Sequence, residues 1–449
     1  EFVSANPTGP LHIGHCRGAV FGDVISNLLI FNGNKVTREF YVNDFGNQIN
    51  IFTQSVFYRL RELKYSEKFP SNKNLYPGLY IINIAKSILK KKPKINLQKF
   101  EIIKKTLSKD AINFSMKLIK SDLKLLGINH DNFFYESDIV KKKLINKSLN
   151  RLKKNKIVIE GFLQPPKGED NINWKKKKKL IFKSTSYGDD TDRSLQKDDG
   201  SWTYFANDLA YHSNKISRKF NFLINILGAD HTGYIKRITA AVNAISNNKT
   251  KLICKVCQLV KLYKDGQPFK MSKRLGDFVS VNELLSEVDK DSVRFMMLNR
   301  SNDVEIDFEF NKVNEKNKDN HIFYVQYAYA RINSLFRTIN LNLYKNIILK
   351  DNDFNLNSYE VKLLRKVIEW PKIIEIASAK LEPHRITFYL YELSTIFHSY
   401  WSEGNRNDDY KFIINGKINK IHSFKIFQLI SIILENGMSI IGVSLPKKM

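Results

Sequence analysis

Two short stretches combine residue types suited to gripping a triphosphate. In His12-Ile13-Gly14-His15 a pair of imidazoles flanks a glycine, so two N–H donors can meet phosphate oxygens while Gly14 leaves bare backbone for a flat base. Backbone N–H groups at a helix start favour anions as well. In Lys270-Met271-Ser272-Lys273-Arg274, between Gly266 and Gly276, three cations fall within five residues. A loop of that kind can follow charge developing on a leaving pyrophosphate, and such an interaction strengthens in the transition state, as catalysis requires. Two surface histidines at a turn and an ordinary basic loop would account for either stretch alone. Cys254 and Cys257 form a lone Cys-x-x-Cys in an apolar run. A zinc site needs further ligands, so these two read as buried thiols, Cys16 as a helix-packing residue, and no metal site is expected.

The elements that must carry these stretches follow from periodicity. Phe2–Asn6 reads as a short strand and Pro7-Thr8-Gly9-Pro10 as a turn. From about His15, Val20, Val24, Ile25, Leu28 and Leu29 recur at helical spacing, and Gly33 is placed to end that helix. Val36–Val42 reads as a second strand and the chain from Gly46 as helical, so strand–helix–strand implies a right-handed parallel crossover opening a doubly wound sheet. Further on, Tyr204–Ser213 reads as a helix and Asn221–Leu227 as a buried strand ending in Gly228-Ala229-Asp230-His231. A helix then leads to a strand over Lys251–Leu262 and the loop holding Lys270. Four late amphipathic helices are expected over Ile322–Leu335, Tyr359–Ser378, Pro383–Trp401 and Phe424–Ile441, with Pro383 at a first turn and Gly404 as a stop. The fold class is α/β, a doubly wound Rossmann-like catalytic half followed by an all-helical bundle.

Composition narrows the partners. With 449 residues the chain has room for at least two folding units. Lys plus Arg outnumber Asp plus Glu by 73 to 45, a formal net charge of +28, which suits a polyanion, nucleic acid first and anionic membrane second. Three cysteines cannot build a disulfide framework, which points to a reducing cytoplasm, and no signal-peptide pattern opens the chain. Phe424–Val443 is the most apolar late stretch, but Gln428, Glu435 and Asn436 interrupt it, so a buried helix is expected rather than a membrane span. The chain opens at Glu1 inside a strand-like run, which is expected of a chain that continues upstream.

His-Ile-Gly-His after a first strand and Lys-Met-Ser-Lys after a late one together resemble a class I aminoacyl-tRNA synthetase, in which the two elements close over ATP. Longer strings narrow the resemblance to the arginyl-tRNA synthetases: Ser4-Ala5-Asn6-Pro7-Thr8-Gly9-Pro10-Leu11 leading into His12, Tyr41-Val42-Asn43-Asp44 with Gly46-Asn47-Gln48-Ile49, Tyr187-Gly188-Asp189-Asp190 with Asp192-Arg193, and Thr203-Tyr204-Phe205-Ala206-Asn207-Asp208. Tyr324-Val325-Gln326-Tyr327-Ala328 with Ala330-Arg331-Ile332, and the ending from Ile440 to Met449, fit too. The resemblance spans essentially the whole chain. It implies ligation of L-arginine to tRNA(Arg) through an arginyl adenylate, with ATP and Mg2+, by a monomer with no membrane partner. It also implies a further N-terminal domain that grips the tRNA elbow, absent from this sequence.

Chemistry independent of the resemblance also suits arginine, because a guanidinium is best met by planar carboxylate acceptors. Tyr204, Asp208 and His212 stand at i, i+4 and i+8 on one helix face, so Asp208 can pair with the guanidinium while Tyr204 offers a ring edge or hydroxyl. The resemblance adds Glu136 as a second carboxylate, and places Asn6 and Ser4 at the α-amino and carboxylate end. For ATP, His12 and His15 are the expected phosphate donors and Gly14 the packing surface. Asp230 and His231 stand at the carboxyl end of a strand, where open α/β sheets bind ligands, and Asp230 would accept from ribose hydroxyls. Lys270 and Lys273, with Met271 and Ser272 between them, would stabilise the pentavalent phosphate. The bundle resembles an anticodon-binding domain. In it Tyr324, Tyr327 and Arg331 form one helical stripe, suited equally to stacking on splayed bases and to lining a bundle core. The expected division is a catalytic domain over 1–320, with a helical insertion at about 60–200 and a stem-contact region at about 275–320, then the bundle over 321–449. A synthetase for another amino acid, or a catalytically impaired tRNA-binding chain, are the competing readings.

Overall fold

The structure is a computed structural model and describes residues 1–163, 177–269, 279–339 and 355–449. Helix α1 (Ile13–Phe31) is buried on almost every side, with Cys16, Ala19, Val20, Val24 and Leu28 fully out of solvent. A helix apolar all round must be covered all round, and sheet strands lie on one flank of α1 with the C-terminal bundle on another. Asn32 caps its end and Gly33 follows at φ 82°, as the spacing implied. Strand β1 (Glu39–Val42) is shorter than expected at its start. Helices α2 (Asn47–Tyr65), α3 (Leu79–Lys91) and α4 (Phe100–Leu125) pack together through their own cluster around Phe52, Leu60, Ile81, Ile84 and Leu107. Strand β2 (Asn132–Tyr135) returns beside β1 in parallel register.

Helices α5 (Glu136–Lys141) and α6 (Leu144–Lys154) precede a small antiparallel sheet of β3 (Val158–Gly161), β4 (Lys179–Phe182) and β5 (Arg193–Ser194). Helix α7 (Tyr204–Ser217) then leads to β6 (Phe222–Gly228), α8 (Ile235–Ser246) and β7 (Lys251–Cys257), a parallel strand–helix–strand unit. The single strand expected over Lys251–Leu262 is broken. Chain direction changes at Gln258-Leu259, and β8 (Val260–Lys264), with its short partner β9 (Gln267–Pro268), belongs to a different sheet. Helices α9 (Val281–Glu287) and α10 (Lys290–Met297) lead to β10 (Ile306–Glu309), which pairs with β8 in parallel.

The expected strand Phe2–Asn6 also differs. Only its first residues enter the sheet: the Ile226 amide donates to the Glu1 carbonyl at 2.9 Å and the Phe2 amide to the Glu39 carbonyl at 3.3 Å, joining β6 to β1. Val3 and Ser4 then turn away at φ 68° and 41°. Such backbone is unfavourable for a β-branched residue, by about 1–3 kcal/mol each, and persists where the surroundings over-determine it, commonly at functional sites.

After α11 (Phe310–Asn314), the bundle comprises α12 (His321–Thr338), α13 (Ser358–Lys380), α14 (His384–Arg406) and, beyond a hairpin of β11 (Ile413–Ile414) and β12 (Lys417–Ile418), α15 (Ile421–Ile441). Gly404 does not stop α14. A Cβ there would lie 2.8 Å from the Tyr410 carbonyl, so the glycine admits a crossing chain instead. Helix α15 is long and apolar enough to cross a membrane, yet 61% of its apolar window is buried inside the protein. One hydrophobic cluster runs from α1 through α10 into the bundle. At its centre Arg294, 1% exposed, donates to Asp23 of α1 at 2.6 Å and to the Ile441 carbonyl at 2.9 Å. Leaving one partner of such a buried pair alone costs about 3–5 kcal/mol, so α1 is held firmly against the end of α15.

Candidate active site

His12 caps α1. Its Nδ1 accepts from the Gly14 amide at 3.1 Å, while the His12 amide donates to Nδ1 of His15 at 3.3 Å. The rings lie 3.9 Å apart. With each Nδ1 used as an acceptor, the ring proton of each sits on Nε2. Burial lowers the pKa of His12. Burial first, then His12, pushes His15 down to about 3. Both imidazoles are therefore neutral donors at physiological pH. Gly14 is exposed, and a Cβ on it would lie 2.9 Å from Cε1 of His12, so a side chain there would push the cap aside.

Lys270, Met271, Ser272 and Lys273 lie outside the described residues. The chain just after them is described, and it is fastened to the histidine turn. The Ile13 amide donates to the Val279 carbonyl at 2.9 Å and the Val281 amide to the Leu11 carbonyl at 3.0 Å. The segment 279–281 is thus anchored beside the histidine turn, although the two are far apart in sequence. Asp230 and His231 stand at the carboxyl end of β6, both exposed, paired at 3.5 Å. Gly228 makes room for them, since a Cβ there would sit 2.7 Å from Oδ1 of Asp230.

The two carboxylates, Glu136 on α5 and Asp208 on α7, lie close enough to act on each other and on Tyr41 of β1. Asn207 of α7 donates to Glu136 Oε1 at 2.8 Å. Asn43, with its amide turned so that nitrogen faces the acid, reaches Glu136 Oε2. The Tyr234 hydroxyl donates to Asp208 Oδ2. Tyr41 hydrogen-bonds Glu136 and has its own pKa raised by burial, then by Glu136 and Asp208. Burial pushes Asp208 up to about 6, against the Tyr234 hydrogen bond. Burial pushes Glu136 up to about 7, with the charges of Asp208 and Asp44 adding to it. The charges of Lys215 and Arg237 also act to lower the Asp208 value, although Lys215 bonds to Glu1 and Arg237 lies 5.1 Å from the ring of Tyr234.

Other expected residues are placed differently. Tyr204 does not join the carboxylates. It is 71% exposed on the first turn of α7, with Lys197 at 5.7 Å from its ring. The i, i+4, i+8 stripe runs along the helix, so it passes from solvent at Tyr204 through half-buried Asp208 to buried His212. His212 is neutral, its pKa pushed down to about 3 by burial, and it is spent on the Asp208 carbonyl and Asn225. Ser4 also has a structural duty, its hydroxyl accepting from the Tyr41 amide at 3.0 Å and donating to Glu1 at 3.2 Å. Asn6 is exposed and donates to Gln48 at 2.8 Å. No role for Tyr41, Asn43, Asn207 or Tyr234 is legible from the residues alone. Three of them, Tyr41, Asn43 and Asn207, stand inside the segments that carry the family resemblance, and that is the signal for them.

In the bundle, Arg331 lies 4.1 Å over the ring of Tyr327 and donates to its hydroxyl at 3.1 Å. Arg331 also donates to Nδ1 of His398 at 3.0 Å, whose Nε2 donates to the Tyr324 carbonyl at 2.9 Å. The stripe of Tyr324, Tyr327 and Arg331 is half-buried, with Trp401 5.5 Å from the guanidinium.

Residues 1–336 match the family model described as tRNA synthetases class I (R), catalytic domain, and residues 325–449 match the DALR anticodon binding domain. The arginine--tRNA ligase of Pelagibacter ubique (strain HTCC1062) is 56% identical over 450 residues, covering 100% of this chain and 78% of the relative. A Campylobacter jejuni structure described as an arginyl-tRNA synthetase superposes with TM-score 0.85 at 31% identity, covering 100% of this chain and 93% of that one. The Thermus thermophilus arginyl-tRNA synthetase shares the fold, with TM-score 0.72 at 20% identity over 100% of this chain and 82% of that one. Matched along its catalytic part by the family model and end to end by a close relative, the chain belongs to the class I arginyl-tRNA synthetases.

Proposed function

We propose that this protein joins L-arginine to tRNA(Arg) in two steps, taking MgATP as its phosphoryl substrate. An arginine carboxylate oxygen attacks the α-phosphorus, forming one P–O bond as the α–β bridge breaks and pyrophosphate leaves. The 2′-hydroxyl of the terminal adenosine of the tRNA then takes the acyl group and AMP departs. His12 and His15 donate to the phosphates, Gly14 faces the base and Asp230 the ribose. Lys270 and Lys273 meet the charge on pyrophosphate. Asp208 and Glu136 hold the guanidinium, and Asn6 lies towards the amino acid's other end. Positioning and charge stabilisation carry the reaction, with little acid–base work.

The observation that supports this reading best is the electrostatic frustration of the carboxylate pocket. Two acids with raised pKa values, held by neutral donors, are what a site prepared for a permanent cation looks like before the cation arrives. The expected test result is ATP–pyrophosphate exchange that requires arginine and tRNA. Exchange supported by cysteine or glutamate instead would overturn the reading.

The pKa values add a pH signature. A guanidinium is met by ionised acids, so protons compete with arginine below about pH 7 at Glu136 and about 6 at Asp208. Arginine KM should fall roughly tenfold from pH 6 to 8 and then level off. Stability of the free protein has the opposite sign. Both pKa values are raised, so the folded state holds protons the unfolded chain gives up, and stability declines as pH rises to about 7. Saturating arginine should therefore raise Tm more at pH 8 than at pH 5.5, which thermal melts check.

The net charge of +28 draws the tRNA polyanion to the surface. The catalytic half takes residues 1–320 and the bundle 321–449, in a cytoplasmic monomer. Tyr324, Tyr327 and Arg331 stack on splayed anticodon bases. Tyr327→Ala is expected to weaken tRNA binding about tenfold, near the lower end for losing one aromatic stacking platform. Arginine and ATP KM should not move, as filter binding and exchange kinetics together would report.

A further inference from the structure

Asp122 lies on α4 and is 1% exposed. Its Oδ2 accepts from the Leu11 amide at 2.8 Å, and its Oδ1 accepts from the Asn282 side chain at 2.9 Å. Leu11 directly precedes His12, and Asn282 lies in the first turn of α9. The Val281 amide, next to Asn282, donates to the Leu11 carbonyl at 3.0 Å, so Asp122, Leu11, Val281 and Asn282 close a ring of hydrogen bonds. No cation is among the causes acting on this acid: burial alone drives it up to about 6, against its two hydrogen bonds. It is also close enough to Cys16 of α1 to help burial push that thiol up to about 12. A buried carboxylate satisfied by two neutral donors is a costly way to fill a core, and an apolar side chain of the same volume would fill it more cheaply. What it provides instead is geometry, because it sets where the backbone of Leu11 lies relative to α9.

We propose that Asp122 is a positioning residue for adenylate formation, fixing the backbone from which His12 is presented to ATP. The proposal rests on the reading of His12 as a phosphate donor. A donor displaced by an ångström loses most of its effect on the transition state, and Leu11 is one peptide from the cap that aims the His12 ring.

Asp122→Leu keeps the branched shape, with bulkier ends, and removes both acceptors. Arginine- and tRNA-dependent exchange should fall about tenfold in kcat, with arginine KM and tRNA affinity within twofold of the parent protein. Asp122→Asn should stay within about threefold, because the Asn282 amide can turn over and the ring re-form with all donors matched. If Asp122→Leu does not fold, Asn282→Ala carries the test, removing one corner of the ring with an expected loss of about threefold in kcat. Combined with His12→Ala, the Asp122→Leu loss should vanish, since a residue acting through His12 has nothing left to position. An Asp122→Leu loss that persists in the His12→Ala background, that raises arginine KM in parallel, or that is absent altogether overturns the proposal. Full exchange activity in His12→Ala alone would overturn the reading of His12 instead, which keeps the two failures distinct.

Discussion

Asp208→Asn is expected to raise arginine KM by about 10²- to 10³-fold while ATP KM stays within twofold. Oδ2 of Asp208 accepts from the Tyr234 hydroxyl, which leaves Oδ1 for the substrate. An asparagine can keep the Tyr234 bond through its own oxygen, so the local fold survives the change. Its nitrogen then faces the guanidinium, donor against donor, and the charge is gone. Truncating one side of a desolvated charge pair costs about 2–5 kcal/mol, and each 1.4 kcal/mol is tenfold. The same substitution removes a carboxylate whose pKa burial holds near 6, so the Tm of the free protein at pH 8 should not fall. Binding is thus expected to worsen while stability holds. Exchange kinetics against arginine, with a melt at pH 8, separate this from a folding defect. An unchanged arginine KM would remove Asp208 from the pocket.

How much of this was legible in the residues depended on the reach of each interaction. Helix α1 could be read directly, since its apolar spacing and its glycine stop are local, while the His12 cap emerges only from the fold. The parallel crossovers followed from short periodic segments, and Asp208 stood out because a lone acid on a helix face invites a partner. Glu136 did not, because the Asn207 amide that orients it is 71 residues away. Asp122 was silent for the same reason, with partners 111 and 160 residues distant. Tyr204 stands in solvent while Asp208 is half-buried, because a shared helix face fixes azimuth but says nothing of depth along the axis. Val3 and Ser4 read as strand from their residue types. Their left-handed backbone is imposed by the bonds that tie Glu1 and Phe2 to β6 and β1, and no local propensity encodes it. The apolar run across Gln258-Leu259 hid a break for a related reason, since the two flanking strands have similar residue types and only their partners differ.

His15→Ala is expected to cut the rate of arginyl-adenylate formation by about 10²- to 10³-fold, the scale on which one preorganised donor to a developing oxyanion matters. ATP KM should move less, because the donor gains most once charge has built up on the phosphate oxygens. The structure fixes which nitrogen acts. Nδ1 of His15 accepts from the His12 amide at 3.3 Å, so the proton sits on Nε2, and that donor has no partner among the described residues. It also fixes the charge. With the pKa held near 3 by burial and by His12, the ring is neutral across the working range, so it acts as a dipole that needs no reorganisation when the transition state forms. Two consequences separate this from a cationic role. His15→Gln, whose amide Nε2 can stand near the imidazole Nε2, should recover part of the lost rate. The ratio of wild-type to His15→Gln rates should also stay flat from pH 6 to pH 8. An imidazolium would instead lose its advantage as pH rose through its ordinary pKa, and a ratio falling across that range in single-turnover adenylation would show that the ring carries a proton the geometry does not allow it.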